Sequence, residues 1–161
     1  MIYSPNYNKK FSYEPKRPVK SFMDLEVYQK ALEANVFAVN TLYPAFCKTA
    51  AKNAKNKTWS KEVFEVKEII IKTLVNRACL IPHLIAEAHS LRFGDHSSSV
   101  VALEKVMLSC NKMMVYLEQT RDICQTDLSW EDFDEAIKRY IYLRRKVLNL
   151  QRSWKKFDSQ K

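Results

Sequence analysis

Residues 129–157 read SWEDFDEAIKRYIYLRRKVLNLQRSWKKF and predict one long amphipathic helix. Ser129 and Asp132 have the spacing of a capping box, with acidic residues in the first helical turn. Apolar residues then recur every three or four positions over more than three heptads, at Phe133, Ile137, Tyr140, Leu143, Val147, Leu150, Trp154 and Phe157. A seam of this kind packs against other helices at the shallow crossing angle of a bundle.

The chain before residue 129 has the same helical periodicity in three further segments. In chain order, the predicted helices cover about 22–48, 59–93, 98–125 and 130–157. We expect an interruption near Pro44 in the first helix, a kink at Pro82 in the second, and a stop at Gly94. Residues 21–158 are therefore predicted to form an all-α, up-down-up-down four-helix bundle.

The apolar positions of these helices define their expected core faces. In the first helix they are Leu25, Tyr28, Leu32, Val36, Val39, Tyr43 and Phe46. In the second helix the main stripe is Val63, Val66, Ile70, Leu74, Ile81 and Leu84, and another face carries Phe64, Ile69, Ile71, Leu80 and Ile85. That second face fits either a contact with another subunit or a central, most buried position within a monomer.

The composition favours helices and a reducing compartment. One glycine and five prolines among 161 residues are too few for the turns of a β-sandwich or barrel. The four cysteines lie 32, 31 and 14 positions apart, without the close pairing of zinc or redox motifs, and are interpreted as reduced, mostly buried thiols. No apolar run reaches the roughly 20 residues of a membrane span, and the amino terminus lacks the pattern of a signal peptide. These features predict a cytoplasmic protein without membrane contact.

The formal net charge of +9 is concentrated in three segments. Residues 1–20 carry five bases and one acid, residues 48–61 five lysines and no acid, and residues 138–161 nine bases and one acid. The first segment also contains three prolines and is predicted to be a flexible basic arm; Thr49–Lys57 is predicted to be a basic connection. Such clustering is typical of a nucleic-acid footprint, whereas lysines that only confer solubility are scattered evenly.

The last predicted helix supplies the main candidate site. It carries bases at seven-residue intervals, and because seven residues make about two turns, these cations form a stripe with a spacing of about 10 Å. A phosphate backbone suits such a stripe, and nearby Tyr142 is a candidate for base stacking, whereas Tyr140 and Trp154 are expected in the core. The candidate nucleic-acid-binding residues are Lys138, Arg139, Arg145, Lys146 and Arg152, with Lys52, Lys55 and Lys57 as a second patch.

Catalytic and metal sites have weaker support. Cys79, His83 and Glu87 share one helix face at a spacing that a metal can use, but no second set of ligands accompanies them. Arg77 and His83 match the arginine–histidine spacing of helical ribonucleases of the HEPN class. The sequence has no Gly-rich phosphate loop, nucleophile elbow or recognisable carboxylate pair. We therefore expect a non-enzymatic protein without a metal or cofactor.

Two segments resemble a known family. Residues 21–31, SFMDLEVYQKA, look like the opening of bacterial four-helix-bundle proteins first noticed in intervening sequences of ribosomal RNA genes. Residues 76–88, NRACLIPHLIAEA, are similar to the second-helix signature of that family, except that Ala88 replaces its usual glycine. Leu108-Ser109 and Lys112 stand where the family has Gly-Ser and a glutamate. The family includes the accessory variability determinants of diversity-generating retroelements, so the resemblance implies a basic homopentamer that binds nucleic acid and a reverse transcriptase.

Charge and resemblance together predict a non-catalytic accessory protein of a diversity-generating retroelement. It is expected to bind RNA or an RNA–DNA hybrid through phosphate contacts without base readout, and to assist a reverse transcriptase with its template. One alternative is an oligomeric protein-interaction scaffold whose basic faces contact an acidic protein. The other is a HEPN-like ribonuclease, which requires Arg77 and His83 to be exposed in a shared cleft.

Overall fold

A computed structural model describes residues 19–159. Its α-helices are α1 (Glu26–Val36), α2 (Tyr43–Lys55), α3 (Lys61–Leu91), α4 (His96–Gln119) and α5 (Trp130–Asp158). The π-helical segment Phe37–Leu42 joins α1 to α2 without a break, and Thr120–Cys124 extends α4 in the same way. The described residues thus form four helical rods and no β-strand, which confirms the all-α class. The predicted arm at 1–20 falls outside them, except for the exposed Val19 and Lys20.

The first rod begins with a capping box formed by Ser21 and Asp24. The Ser21 side chain accepts a hydrogen bond from the Met23 amide, and the Asp24 carboxylate accepts one from the Ser21 amide. These bonds cap a short 3-10 turn, Phe22–Asp24, and α1 starts after the extended residue Leu25. The cap therefore fixes the entry into the rod one turn before the helix proper.

The sequence predicts an interruption near Pro44, but the helical turns continue through it. Proline lacks an amide hydrogen and its ring crowds the carbonyl four residues earlier, so a regular turn is unfavourable there. The chain instead forms the wider turns of Phe37–Leu42, and the Tyr43 amide donates to the carbonyl of Ala38. Pro44 then lies in the first turn of α2, where its missing donor costs little.

The rod also extends past the predicted end at residue 48, because α2 continues to Lys55. Alanines give Thr49–Lys55 a high helix propensity, and Lys52 and Lys55 in the last turn complement the helix dipole. Most of the expected basic connection is therefore helix, and only residues 56–60 link α2 to α3. Lys57 within that link has a positive φ of 50°.

Each of the other three rods begins directly after a capping residue. Ser60, Asp95 and Ser129 each accept an amide hydrogen bond at the start of α3, α4 and α5. α3 runs unbroken through Pro82 and ends at Leu91, two residues before the predicted helix end at residue 93. Near the end of the third rod, the Thr120 hydroxyl donates to the Tyr116 carbonyl, where the π-helical turns begin.

The core lies between the four rods. α3 packs against α1 and α4, and α5 also packs against α1 and α4. The largest fully buried side chains come from all four rods, namely Leu42, Ile71, Leu74, Ile81, Ile85, Leu103, Val106, Met113, Leu117, Phe133, Leu143 and Val147. Tyr140 and Trp154 are buried among them as expected.

The buried face of the first rod, α1 and the π-helical segment after it, differs from the predicted one. Ala31, Ala34 and Ala38 are buried, whereas the larger Leu32, Val36 and Val39 are exposed. Small side chains let α1 approach its neighbours closely, so the contact excludes the bulkier residues. Periodicity alone favoured the larger side chains because alanine contributes little to an apolar stripe.

α3 also departs from its predicted faces. Val63 and Val66, assigned to the core stripe, are exposed, whereas Ile71 and Ile85, assigned to a second face, are fully buried. Ile69 and Leu80 remain exposed. By length and apolar composition alone α3 could cross a membrane, and one third of its most apolar window is buried in the protein. A core helix of a helical protein meets the same criterion.

Candidate nucleic-acid interface

The predicted cationic stripe lies along the outer side of α5. The buried face of this helix is Phe133, Ala136, Tyr140, Leu143, Val147, Gln151 and Trp154. Lys138, Arg145, Arg152 and Lys156 are exposed, and their spacing places them on one line opposite that face. At about 1.5 Å per residue this line spans about 27 Å. We call it the α5 ridge.

Acidic neighbours engage the bases in the amino-terminal half of α5. Lys138 Nζ lies 2.6 Å from Asp134 Oδ2, and Arg139 Nη2 lies 2.7 Å from Glu135 Oε1. Both pairs have the i, i+4 spacing at which opposite charges meet on a helix. The hydrogen bond and charge of Asp134 raise the pKa of Lys138. These two bases must exchange an internal carboxylate for a phosphate before they can bind one.

Lys146 is engaged across the groove between α1 and α5. Its Nζ lies 3.1 Å from Glu26 Oε1, and the Tyr142 hydroxyl donates to the same oxygen at 2.8 Å. Tyr142 first and Glu26 second raise the pKa of Lys146 through their hydrogen bonds. Lys146 and Tyr142 therefore help to fasten α5 to the start of α1.

Arg145 and Arg152, unlike the bases above, are not engaged by an acidic residue of the described chain. Both are exposed, and within residues 19–159 no carboxylate lies at ion-pair distance from either. Lys155 and Lys156 follow one turn later and are likewise exposed, without an acidic partner in the described chain. The carboxyl-terminal half of α5 thus presents four cations whose charge is not neutralised by the protein.

An aromatic cluster that the sequence did not predict lies at the carboxyl-terminal end of α5. The Arg92 guanidinium lies 5.0 Å from the ring centre of Trp154 and 5.4 Å from that of Phe93. Trp154 is only 2% exposed, whereas Phe93 is 79% and Phe157 is 61% exposed. The sequence assigns Phe157 to the core seam, but its side chain is exposed at the end of α5. Together with His96 and Asp158 these side chains line a pocket of about 280 Å³. We call it the turn-end pocket, because it includes residues of the α3–α4 turn, 92–95.

Two histidines support this end of the molecule. His89 packs edge-on against Phe93, with ring centres 5.7 Å apart, and is nearly buried. Burial first, and the nearby Arg92 second, lower the pKa of His89, so it is neutral at pH 7. His96 Nε2 lies 3.4 Å from Asp158 Oδ2 and joins the start of α4 to the end of α5.

The second predicted patch lies at the opposite end of the rods. Lys52, Lys55 and Lys57 are exposed around the end of α2. That end contacts the start of α5 through Lys48, whose Nζ lies 3.5 Å from Asp127. Arg152 lies 22 residues beyond Trp130, the first residue of α5, which is about 33 Å along the helix. The two basic patches therefore do not form one surface.

Cations at this opposite end also hold the fold together. Lys67 is 7% exposed, its Nζ donates to the Ile123 carbonyl, and it lies 4.3 Å from the Trp59 ring centre. Arg121 pairs with Asp122 at 2.7 Å and lies 4.0 Å from the Trp130 ring centre. We call this the connection end, because it contains the links 56–60 and 125–129.

A mixed-charge groove follows the seam between α1 and α5. Its volume is about 700 Å³, and its lining residues are Lys30, Glu33, Val36, Glu135, Lys138, Arg139 and Tyr142. Lys30 is paired with Glu33 at 2.8 Å, so its charge is compensated within the groove. The groove is therefore a weaker anion site than the carboxyl-terminal half of the α5 ridge.

The candidate metal ligands and the candidate ribonuclease pair both lie on α3. Cys79 is half-buried and donates from Sγ to Asn35 Oδ1 at 3.5 Å, away from the exposed His83 and Glu87. The part of the chain that the structure describes holds no cluster of metal-ligating side chains. Arg77 is half-buried while His83 is exposed, and neither lines the pockets above.

The cysteines are free thiols, but only two of the four are buried. Cys47 is exposed and Cys79 is half-buried. Burial raises the pKa of Cys110 to about 12 and that of Cys124 to about 11, so both remain protonated and unreactive at neutral pH. No nucleophilic role follows from this chemistry.

Fold and surface together define an all-α protein with a cationic face on α5 and an aromatic pocket at the end of that helix. No protein-family model, curated protein or solved structure matches the chain.

Proposed function

We propose that this chain is a non-catalytic nucleic-acid-binding protein that contacts the phosphate backbone through the carboxyl-terminal half of the α5 ridge. The observation that supports this is the run Arg145, Arg152, Lys155 and Lys156, which is exposed and without acidic partners in the described chain. Each phosphate contact releases condensed counterions, so such a run favours polyanions without reading their sequence. Lys138, Arg139 and Lys146 are secondary contacts, because each must first leave a carboxylate.

The rods are proposed to run up-down-up-down. The links between successive rods are short: residues 56–60, 92–95 and 125–129. Connections of this length join antiparallel neighbours, and each rod packs on two others. In this arrangement the links 56–60 and 125–129 share one end and the α3–α4 turn lies at the other.

The fuller proposal is that the nucleic acid is RNA or an RNA–DNA hybrid and that the protein assists a reverse transcriptase as a homopentamer. This part rests on the resemblance of residues 21–31 and 76–88 to the retroelement accessory proteins. Exposed apolar side chains on α3 and α4, among them Ile69, Leu108 and Val115, offer area for contacts between subunits.

The test compares two matched charge reversals in the full chain. Fluorescence anisotropy of a short labelled RNA is measured from about 50 to 200 mM salt, the range over which phosphate contacts weaken strongly. Arg145→Glu/Arg152→Glu is expected to weaken binding more than tenfold at low salt and to flatten the salt slope by about 1.4, or about 0.7 for each lost contact to a single strand. Lys138→Glu/Arg139→Glu, the control, should have a smaller effect because its bases are already paired.

Equal affinity of wild type and the Arg145→Glu/Arg152→Glu variant would contradict the proposed site. Absence of RNA binding by the wild type at low salt would contradict the function itself. The RNA recovered from the assay should be intact on a gel, since the protein is proposed to be non-catalytic. Light scattering of the same samples tests the pentamer.

A further inference from the structure

The turn-end pocket combines features that a folded protein rarely leaves together on its surface. Phe93 and Phe157 are large apolar rings and are mostly exposed, so neither contributes much to the core. They flank a tryptophan on which an arginine already lies, with Arg92 5.0 Å from the Trp154 ring centre. Exposed rings of this kind typically mark a binding site.

The surroundings of the pocket are cationic. Arg92 is part of the lining, and the exposed Lys155 and Lys156 stand between Trp154 and Phe157 in the sequence. Asp158, an acid in the lining, is 3.4 Å from His96 Nε2. The pocket therefore favours a ligand that combines a flat, neutral ring with a neighbouring negative charge.

We propose that the turn-end pocket takes an unpaired nucleobase of a single-stranded nucleic acid bound along the α5 ridge. This inference rests on the proposed nucleic-acid binding and adds a preference to it. The base stacks on Phe93 and Phe157 at the pocket mouth, beside Arg92, while Lys155 and Lys156 contact the phosphates next to it. Stacking on aromatic side chains tolerates any sequence because every base has a π-face.

An unpaired base fits this site better than a base pair. In a duplex the faces of the bases are already stacked on one another and are inaccessible to side chains at the end of a helix. The α5 ridge alone contacts phosphates in either form. The pocket therefore converts a binder of any polyanion into one that prefers single strands.

The experiment measures anisotropy of the full chain with two probes of equal length, a single-stranded RNA and a blunt RNA duplex. Phe93→Ala/Phe157→Ala is expected to weaken single-strand binding by about 5- to 150-fold, the equivalent of about 1–3 kcal/mol for one stacked base, with duplex binding unchanged. Because both rings are exposed, this variant should retain the wild-type melting temperature. Phe93→Leu, which keeps apolar area but loses the flat ring, should also weaken single-strand binding.

Trp130→Ala is the matched control, since Trp130 is also exposed and lies beside an arginine, but at the connection end. It should leave both affinities unchanged. A second readout uses Trp59→Phe/Trp130→Phe, in which Trp154 is the remaining tryptophan. Its fluorescence should be quenched by the single strand and not by the duplex.

Failure of the inference differs from failure of the proposed function. If the wild type binds both probes, Arg145→Glu/Arg152→Glu weakens both, and the phenylalanine variants change neither, then the pocket does not bind a base while the ridge still binds phosphate. If the wild type binds neither probe at low salt, both proposals are wrong. A loss caused by Trp130→Ala but not by Phe93→Ala/Phe157→Ala would place the base at the connection end and overturn the inference.

Discussion

The two ends of the molecule use the same kinds of side chain for different purposes. At the connection end, Lys67 lies over Trp59 and donates to a main-chain carbonyl, and Arg121 lies over Trp130 and pairs with Asp122. At the turn end, Arg92 lies over Trp154, but the neighbouring Phe93 is exposed. Lys67 and Arg121 at the connection end are bound within the fold, whereas Arg92 at the turn end has an exposed aromatic ring and solvent beside it.

This difference teaches that a basic composition does not by itself locate a binding surface. α5 carries bases along most of its length, yet Lys138 and Arg139 sit four residues after acids and Arg145 and Arg152 do not. An ion pair reduces what a base gains from a phosphate, because one carboxylate must be released first. Within α5, the available charge is therefore concentrated in the carboxyl-terminal half.

Of the substitutions that test this difference between the two ends, Lys67→Ala is expected to have the largest effect. Lys67→Ala removes the hydrogen bond to the Ile123 carbonyl and the contact with Trp59, and leaves a carbonyl without its partner. The free energy of unfolding should fall by about 3 kcal/mol in urea denaturation. RNA affinity of the folded variant should stay at the wild-type value.

Lys61→Ala serves as the control, because Lys61 is an exposed lysine six residues earlier in α3 with only a long contact to Glu65, at 3.9 Å. Its effect on unfolding should be below about 0.5 kcal/mol. If Lys67→Ala is equally mild, the cations at the connection end do not stabilise the fold in the way described.

A smaller effect is expected when an acid is placed among the unpaired cations. Asn149 is exposed, four residues after Arg145 and three before Arg152. Asn149→Asp puts a carboxylate within reach of both guanidinium groups and gives this half of α5 the pairing of the other half. RNA affinity should fall about tenfold at low salt, with a shallower salt slope, as measured by anisotropy.

Asn149→Gln adds no charge and should bind RNA like the wild type. Both variants should unfold at the same urea concentration as the wild type, because position 149 lies on the surface. An unchanged affinity for Asn149→Asp would mean that this half of α5 does not contact the RNA.

The smallest effect is a pH dependence of stability from His89. Because burial lowers the pKa of His89 in the folded state below its usual 6.5, the unfolded chain binds a proton more readily. The stabilisation is complete above about pH 6.5 and declines as the pH falls below that value. Urea denaturation at pH 7.5 and pH 5.5 should show a modest loss at the lower pH.

His89→Gln should reduce this loss, whereas His83→Gln should keep it, because His83 is exposed. A loss of equal size in wild type and His89→Gln would assign the pH dependence to other groups.

Local signals in the sequence predicted α5 closely. The capping box at Ser129 and the apolar seam involve only residues of this one helix. The observed span, Trp130–Asp158, differs from the prediction at one residue. The i, i+4 pairs of Lys138 and Arg139 were also readable from local spacing. The partner of Lys146 was not, because Glu26 lies 120 residues away and meets it only where α1 packs on α5.

The face of α1 and the turn-end pocket depended on contacts between distant residues. A periodic pattern ranks Leu32 above Ala31 because it weighs side-chain size, but close packing of rods selects the alanine. The pocket joins the end of α3 to the end of α5, so no single helix shows it. The one local hint was Phe93 immediately before Gly94, a large ring at a turn.

By itself, the sequence determined that this protein is helical, how its chain divides into four rods, and where its positive charge accumulates. These properties depend on residues close together in the chain, through capping, periodicity and composition. The tertiary structure alone decided which apolar residues are buried, which bases are engaged by acids from other helices, and which aromatic rings remain exposed at the turn end. Those outcomes depend on how closely the rods approach and where each one ends relative to its neighbours, and distances across the fold are not encoded in any one segment.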